Sequence, residues 1–97
     1  MSAYTYILFS NKLNRFYFGS TELMPEQRLE MHISKYYGDK KFTAKTDDWV
    51  LYASIQCDSI SQARKIESSL KRMRNRKYIQ WLMQNQKAIE RIKVRFS

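Results

Sequence analysis

Four groups of residues in this 97-residue chain have types and spacings suited to chemistry. The first is a lone carboxylate. Ile60, Ala63, Glu67 and Leu70 step by three, four and three, the spacing of a buried helical stripe, and Glu67 takes an interior slot of it. A carboxylate in such a slot is costly unless it is paired with a base or bound to a metal. One carboxylate completed by phosphate oxygens and water is a common way to hold Mg²⁺. From spacing alone, both readings stand: a metal ligand, or a stripe-edge glutamate paired with Arg or Lys. The second group is Arg28 with His32, four residues apart and so on one helix face. Arginine grips phosphate through two donors, and histidine moves a proton near neutral pH. Two solvated side chains would fit the same spacing.

The third group is a tyrosine pair. Side chains alternate along a strand, so Tyr4, Tyr6 and Leu8 share one face, and Arg15, Tyr17 and Gly19 share another. A hairpin centred near Lys12–Leu13 sets Leu8 opposite Tyr17 and Tyr6 opposite Gly19. Tyr6 and Tyr17 then become diagonal neighbours, about 7–8 Å apart. An ordinary aromatic cross-strand pair would look the same. The fourth is the basic run Lys71, Arg72, Arg74, Arg76 and Lys77, followed by Tyr78 and Trp81. Bases beside aromatics suit phosphate contact with base stacking. A solvated face with both aromatics in the core is the competing reading.

Particular elements must position these groups. Residues 3–9 and 15–19 read as two strands of a hairpin, with a turn over residues 10–14. Pro25 suits the first turn of a helix running to about Tyr36, with Leu29, Ile33 and Tyr36 or Tyr37 as its buried stripe. Arg28 and His32 flank that stripe near the sheet's rim. Residues 38–48 form a polar loop, and residues 49–57 a third strand. Ser59-x-x-Gln62 fits a capping box that opens a helix to about Met73. Asn75 breaks that helix or caps a third one running to about Ala88. Residues 89–97 are read as a basic C-terminal tail, ambiguous between helix end and short strand. The expected fold class is α/β in the α+β sense: a small three-stranded antiparallel sheet flanked by helices, in the order ββαβαα, with residues 1–88 as a single domain.

Composition narrows the function. Hydrophobic residues make up 43% and charged residues 28%, with two Gly and one Pro, which excludes disorder and collagen. No stretch approaches the roughly 20 apolar residues of a membrane span, and none resembles a signal peptide. A single Cys57 and a single His32 exclude an intramolecular disulfide and multi-histidine metal sites. A reducing cytoplasm is the expected compartment. Residues 1–63 hold seven bases and seven acids, whereas residues 64–97 hold eleven bases against Glu67 and Glu90. The whole net charge of +9 therefore sits in the last third, where it attracts polyanions.

Taken in order, these residues resemble the GIY-YIG nuclease superfamily. Tyr4-Thr5-Tyr6 stands where its first triplet belongs, and Tyr17-Phe18-Gly19 where its second belongs. Arg28-Leu-Glu-Met-His32 matches its helix-one motif, and Glu67 its metal ligand. The chain is most similar to small stand-alone members labelled as excinuclease-subunit-like. It shares with them Lys41-Phe42-Thr43, Asp48-Trp49, Cys57-Asp-Ser59-x-x-Gln62-Ala63-x-x-Ile66-Glu67 and Lys71-Arg-Met73-x-x-Arg76-Lys77-Tyr78-Ile79. The resemblance covers roughly residues 4–82. The first triplet keeps only its final Tyr6, and Ser20 follows Gly19 where some members soon carry a lysine.

The resemblance implies a metal-dependent endonuclease that hydrolyses DNA phosphodiester bonds. Glu67 would hold one Mg²⁺ or Mn²⁺, and Tyr6 would be the general base, in a network with Tyr17 or His32. Arg28 would neutralise phosphoryl charge. Tyr4, Ser20, Lys45 and Asn75 are candidate auxiliary residues. The expected partner is nucleic acid, DNA rather than RNA, with no membrane and the oligomeric state open. Nothing in so small a chain supplies long site recognition, so nicking would be structure-selective or weakly specific. The alternative is a non-catalytic nucleic-acid-binding module on the same fold. A third reading is an interaction domain whose basic face meets an acidic protein.

Overall fold

A computed structural model describes residues 2–33, 46–73 and 75–97. The elements are β1 (Ala3–Ser10), β2 (Arg15–Thr21), α1 (Pro25–Ile33), β3 (Val50–Cys57), α2 (Ile60–Met73), α3 (Arg76–Met83) and α4 (Gln86–Arg95). The three strands form one antiparallel sheet, as expected from the sequence, and their spatial order is β2-β1-β3. The hairpin register sets Leu8 opposite Tyr17 and Tyr6 opposite Gly19, as the turn position dictates. Asn14 closes the turn with φ 52°, a left-handed conformation that asparagine tolerates. β3 carries a bulge at Tyr52, where the β1 register shifts between Ile7 and Leu8.

β1 is the central strand, and both its faces are covered. Ala3 and Ile7 point into an aliphatic core with Ile55, Cys57, Ala63, Ile66, Leu70, Ile79, Leu82 and Ile92. That core is roofed by α2, α3 and α4. Tyr6 and Leu8 point the other way, into a smaller cluster with Trp49 that Tyr17 and Leu29 of α1 close. Two buried polar groups fasten the larger layer. The Thr5 hydroxyl donates to the Ala63 carbonyl at 2.8 Å, pinning α2 to β1. The Gln62 amide donates to the Lys93 carbonyl at 2.7 Å, and its oxygen accepts from the Asp58 backbone N–H at 2.7 Å. Burial pushes the Cys57 thiol above its ordinary pKa, so it serves as a small core residue.

Helix ends follow local chemistry. Ser59 Oγ accepts from the Gln62 N–H at 3.1 Å, the expected cap, although the Gln62 side chain reaches back one residue further, to Asp58. Asn75 caps α3 by accepting from the Tyr78 N–H, and Asn85 caps α4 by accepting from the Ala88 N–H. The single helix expected through Ala88 is therefore two. Asn85 restarts the chain in a new direction, and α4 returns Ile92 to the core and the Lys93 carbonyl to Gln62. Residues 89–95, read as tail, lie in this helix. Tyr36, Tyr37 and most of the 38–48 loop lie outside the described residues.

Candidate active site

The site begins with a close approach between strands. The Tyr6 ring lies flat across its neighbour Gly19 on β2. A Cβ at residue 19 would sit 2.3 Å from Tyr6 Cζ, so only glycine admits the ring there. The ring thus extends over β2 towards α1, and its Oη lies 3.0 Å from His32 Nε2, both groups buried. Which of the two donates depends on the imidazole tautomer. Tyr17 meets the same imidazole edge-on, with centroids 4.9 Å apart. The Tyr6 and Tyr17 rings are 6.5 Å apart, and Trp49 backs Tyr17 at 6.3 Å. The Arg28 guanidinium carbon stands 5.9 Å from the Tyr6 ring centre, a cation over a π face. The structure therefore brings four of the singled-out residues (Tyr6, Tyr17, Arg28 and His32) into one cluster.

Helix α1 is rotated relative to the sequence reading. His32 is 1% exposed and Ile33 is 38% exposed, so the inward face runs through Arg28, Leu29 and His32 rather than through Leu29 and Ile33. The reason is the surface that α1 covers. Tyr6 offers a buried hydroxyl, which an imidazole satisfies and an isoleucine does not.

Glu67 also sits differently. The inward side of α2 is Gln62, Ala63, Ile66 and Leu70, and Glu67 lies at its border rather than in an interior slot. Its side chain is 17% exposed and bonds the Lys71 ammonium at 2.6 Å, one turn on. That ion pair is the stripe-edge alternative left open by spacing. α2 covers the face of β1 opposite to the tyrosine–histidine cluster, so the helix that carries Glu67 and the cluster lie on opposite faces of the sheet.

The basic run divides by role. Lys71 is held by Glu67. Arg76 donates from Nη1 to Asn14 Oδ1 at 2.9 Å and from Nη2 to the Asn14 carbonyl at 2.7 Å. It also stands over the Phe9 and Phe16 rings at 5.7 and 5.5 Å. Arg76 thus locks the hairpin turn to α3. Arg72 and Lys77 are exposed, and Arg74 lies outside the described residues. Trp81 is exposed, with its ring 5.8 Å from that of Tyr78, so α3 does not bury both aromatics. Among the auxiliary candidates, Tyr4 Oη touches Met24 Sδ at 3.6 Å. Ser20 pairs with Thr5 in the ladder, on the α2 side of β2. The Asn75 side-chain oxygen is taken by its helix cap, and Lys45 lies outside the described residues.

Asp48 has a role that no spacing pointed to. It accepts from the Ser10 hydroxyl at 2.5 Å, the Thr46 hydroxyl at 2.9 Å and the Lys12 backbone N–H at 2.9 Å. The Ser10 bond first, then the Lys12 amide, lower its pKa to about 2. Asp48 ties the β1–β2 turn to the chain entering β3, and so holds Trp49 behind Tyr17. The signal lay in the residue type beside a buried tryptophan, but nothing local names a partner 38 residues away.

A cage of three or more His, Cys, Asp or Glu side chains is absent among the described residues. A lone, partly desolvated carboxylate with hard oxygen donors fits a cation that keeps most of its shell as water and phosphate, as Mg²⁺ does. Its present counter-ion is a 54% exposed lysine, free to swing into solvent. Among the described residues, no helix is long and apolar enough to cross a membrane.

A family model described as the GIY-YIG catalytic domain matches residues 2–80. No curated protein and no solved structure matched the chain. The family is of nuclease type, acts on nucleic acid and is generally dependent on divalent metal. With its glycine-seated tyrosine, its second tyrosine, its arginine and histidine one turn apart and its helical glutamate, and with a family match over most of its length, the chain belongs to the GIY-YIG catalytic-domain family.

Proposed function

We propose that this protein is a metal-dependent endonuclease that nicks DNA in the cytoplasm, selecting structure or sequence only weakly. The observation that carries this reading is the buried Tyr6 Oη···Nε2 His32 contact at 3.0 Å beside the Arg28 guanidinium. A phenol with a pKa near 10 is a poor base at pH 7 on its own. An imidazole at hydrogen-bond distance gives it a place to send or collect a proton. Water attacks phosphorus, and the bond to the leaving 3′ oxygen breaks, that oxygen taking a proton from solvent water. The water proton passes to Tyr6 Oη as the phenolic proton moves to His32 Nε2. Arg28 balances charge building on the phosphoryl oxygens. Tyr17 packs edge-on against the imidazole and is itself backed by Trp49, which helps fix the ring's plane.

Glu67 is the residue that would hold Mg²⁺ or Mn²⁺, and the ion's charge would offset that of the scissile phosphate and leaving oxygen. With an ion on Glu67, Lys71 would be released and would be available to the DNA backbone with Arg72 and Lys77. These contacts grip phosphates and carry no sequence information, which supports weak specificity.

The test is nicking of supercoiled plasmid in Mg²⁺, Mn²⁺ or EDTA, with wild type beside Glu67→Ala. Metal-dependent nicking that is lost in the variant supports the nuclease and the ligand together. Activity that survives in Glu67→Ala removes Glu67 from the mechanism. Tight, salt-sensitive DNA binding without turnover on plasmid, branched or single-stranded DNA would leave the non-catalytic binding module.

A further inference from the structure

The groove between β2 and the α2–α3 corner is not explained by the cleavage site. It encloses about 490 Å³, within the range of small-ligand sites. Leu70 and Ile79 form its apolar floor, and Phe16 and Phe18 stand on one wall with ring centroids 6.2 Å apart. Arg15 and Arg76 stand at its rim, and none of its lining residues is acidic. Arg76 is already fixed by its two bonds to Asn14, so it loses little freedom when an anion arrives. Arg15 is exposed at the start of β2. Leu70 lies three residues after Glu67 on α2, just under one helical turn or about 4.5 Å further along the axis.

We propose that this groove seats one unpaired nucleotide, next to the phosphate that a metal ion at Glu67 would engage. The proposal rests on the nuclease reading and adds a substrate class to it. A concave site with an aromatic wall and a cationic rim matches the two parts of a nucleotide, its π face and its phosphate. A base paired and stacked inside a duplex presents neither face to such a groove, whereas a flap or a frayed end does. The substrate is therefore duplex DNA carrying at least one extruded nucleotide at the cut.

Binding can be read apart from cleavage. Glu67→Gln in EDTA is titrated by fluorescence anisotropy against three labelled DNAs: a nicked duplex, the same duplex with a one-nucleotide flap, and that flap made abasic. The flap is expected to bind about ten-fold tighter than the other two, the worth of one stacked base. Arg15→Ala and Phe18→Leu, each added to Glu67→Gln, should reduce that preference to less than about three-fold while duplex affinity changes little. Arg15 is exposed, so its substitution tests the groove without loss of core packing. Equal affinity for all three DNAs, or a preference that survives in both variants, overturns the proposal. A flap preference without wild-type cleavage of either plasmid or flap DNA in Mg²⁺ or Mn²⁺ would keep the groove and remove the nuclease. Nicking without flap preference would do the reverse.

Discussion

The two faces of the sheet share β1, and alternate residues of that one strand serve opposite ends. The side holding Ala3 and Ile7 is dry and aliphatic, roofed by three helices, with polar groups spent on fastening: Thr5 to Ala63, and Gln62 to Lys93. The side holding Tyr6 and Leu8 is smaller, aromatic and polar, with a buried histidine in place of an aliphatic contact. Packing on the first side anchors the strand. On the second side, the same strand holds a phenol and an imidazole together as a buried hydrogen-bonded pair. A domain of this size can keep such a polar cluster because its opposite face supplies most of the buried apolar surface.

This comparison is open to attack, beginning with the largest effect. Ile66→Ala should cost about 3 kcal/mol in urea unfolding, a large part of the stability of a small domain. DNA cleavage should fall only as the folded fraction falls. Tyr6→Phe should do the opposite. It removes the hydroxyl facing His32 and nothing else, so stability changes by about 1 kcal/mol while nicking drops about 100-fold or more at unchanged DNA affinity. A Tyr6→Phe enzyme that cleaves at the wild-type rate would end the assignment of Tyr6 as base.

Gly19→Ala sharpens the boundary between the faces. The added methyl meets the Tyr6 ring, so the melting temperature should drop by an amount equivalent to about 1–3 kcal/mol, with loss of nicking. A variant with wild-type melting and activity would mean that the ring is not seated on Gly19. The smallest effect concerns Asp48. Its carboxyl pKa is lowered to about 2 in the fold, against an ordinary 3.8. The carboxylate therefore stabilises the fold fully above about pH 4, and the contribution fades as pH falls towards 2. Thermal melts of wild type and Asp48→Asn should differ at pH 7 and converge near pH 2. A gap that does not narrow with acid would show that the Asp48 contacts act through packing rather than charge.

Much of the fold was legible because local chemistry encodes it. Alternation along β1 and the turn after Ser10 fixed the hairpin register, which alone put Tyr6 and Tyr17 on one face. Pro25, Ser59 and Asn75 marked helix starts through the backbone donors that helices leave open. The break at Asn85 was missed because Asn is also tolerated within helices, and only the need to return Ile92 to the core decides for a cap. The rotation of α1 was missed for a similar reason. Periodicity ranks Ile33 above His32 for burial, and only the Tyr6 hydroxyl waiting beneath reverses that order.

The sequence by itself determined which residue types share a strand face, where elements start, and that the positive charge gathers in the last third. These depend on contacts within a few residues, where spacing and geometry are tied together. Only the tertiary structure decided that Arg76 would clamp Asn14 across 62 residues and that Asp48 would serve Ser10. Partners so far apart in the chain meet only through how the strands pair and the helices dock on the sheet.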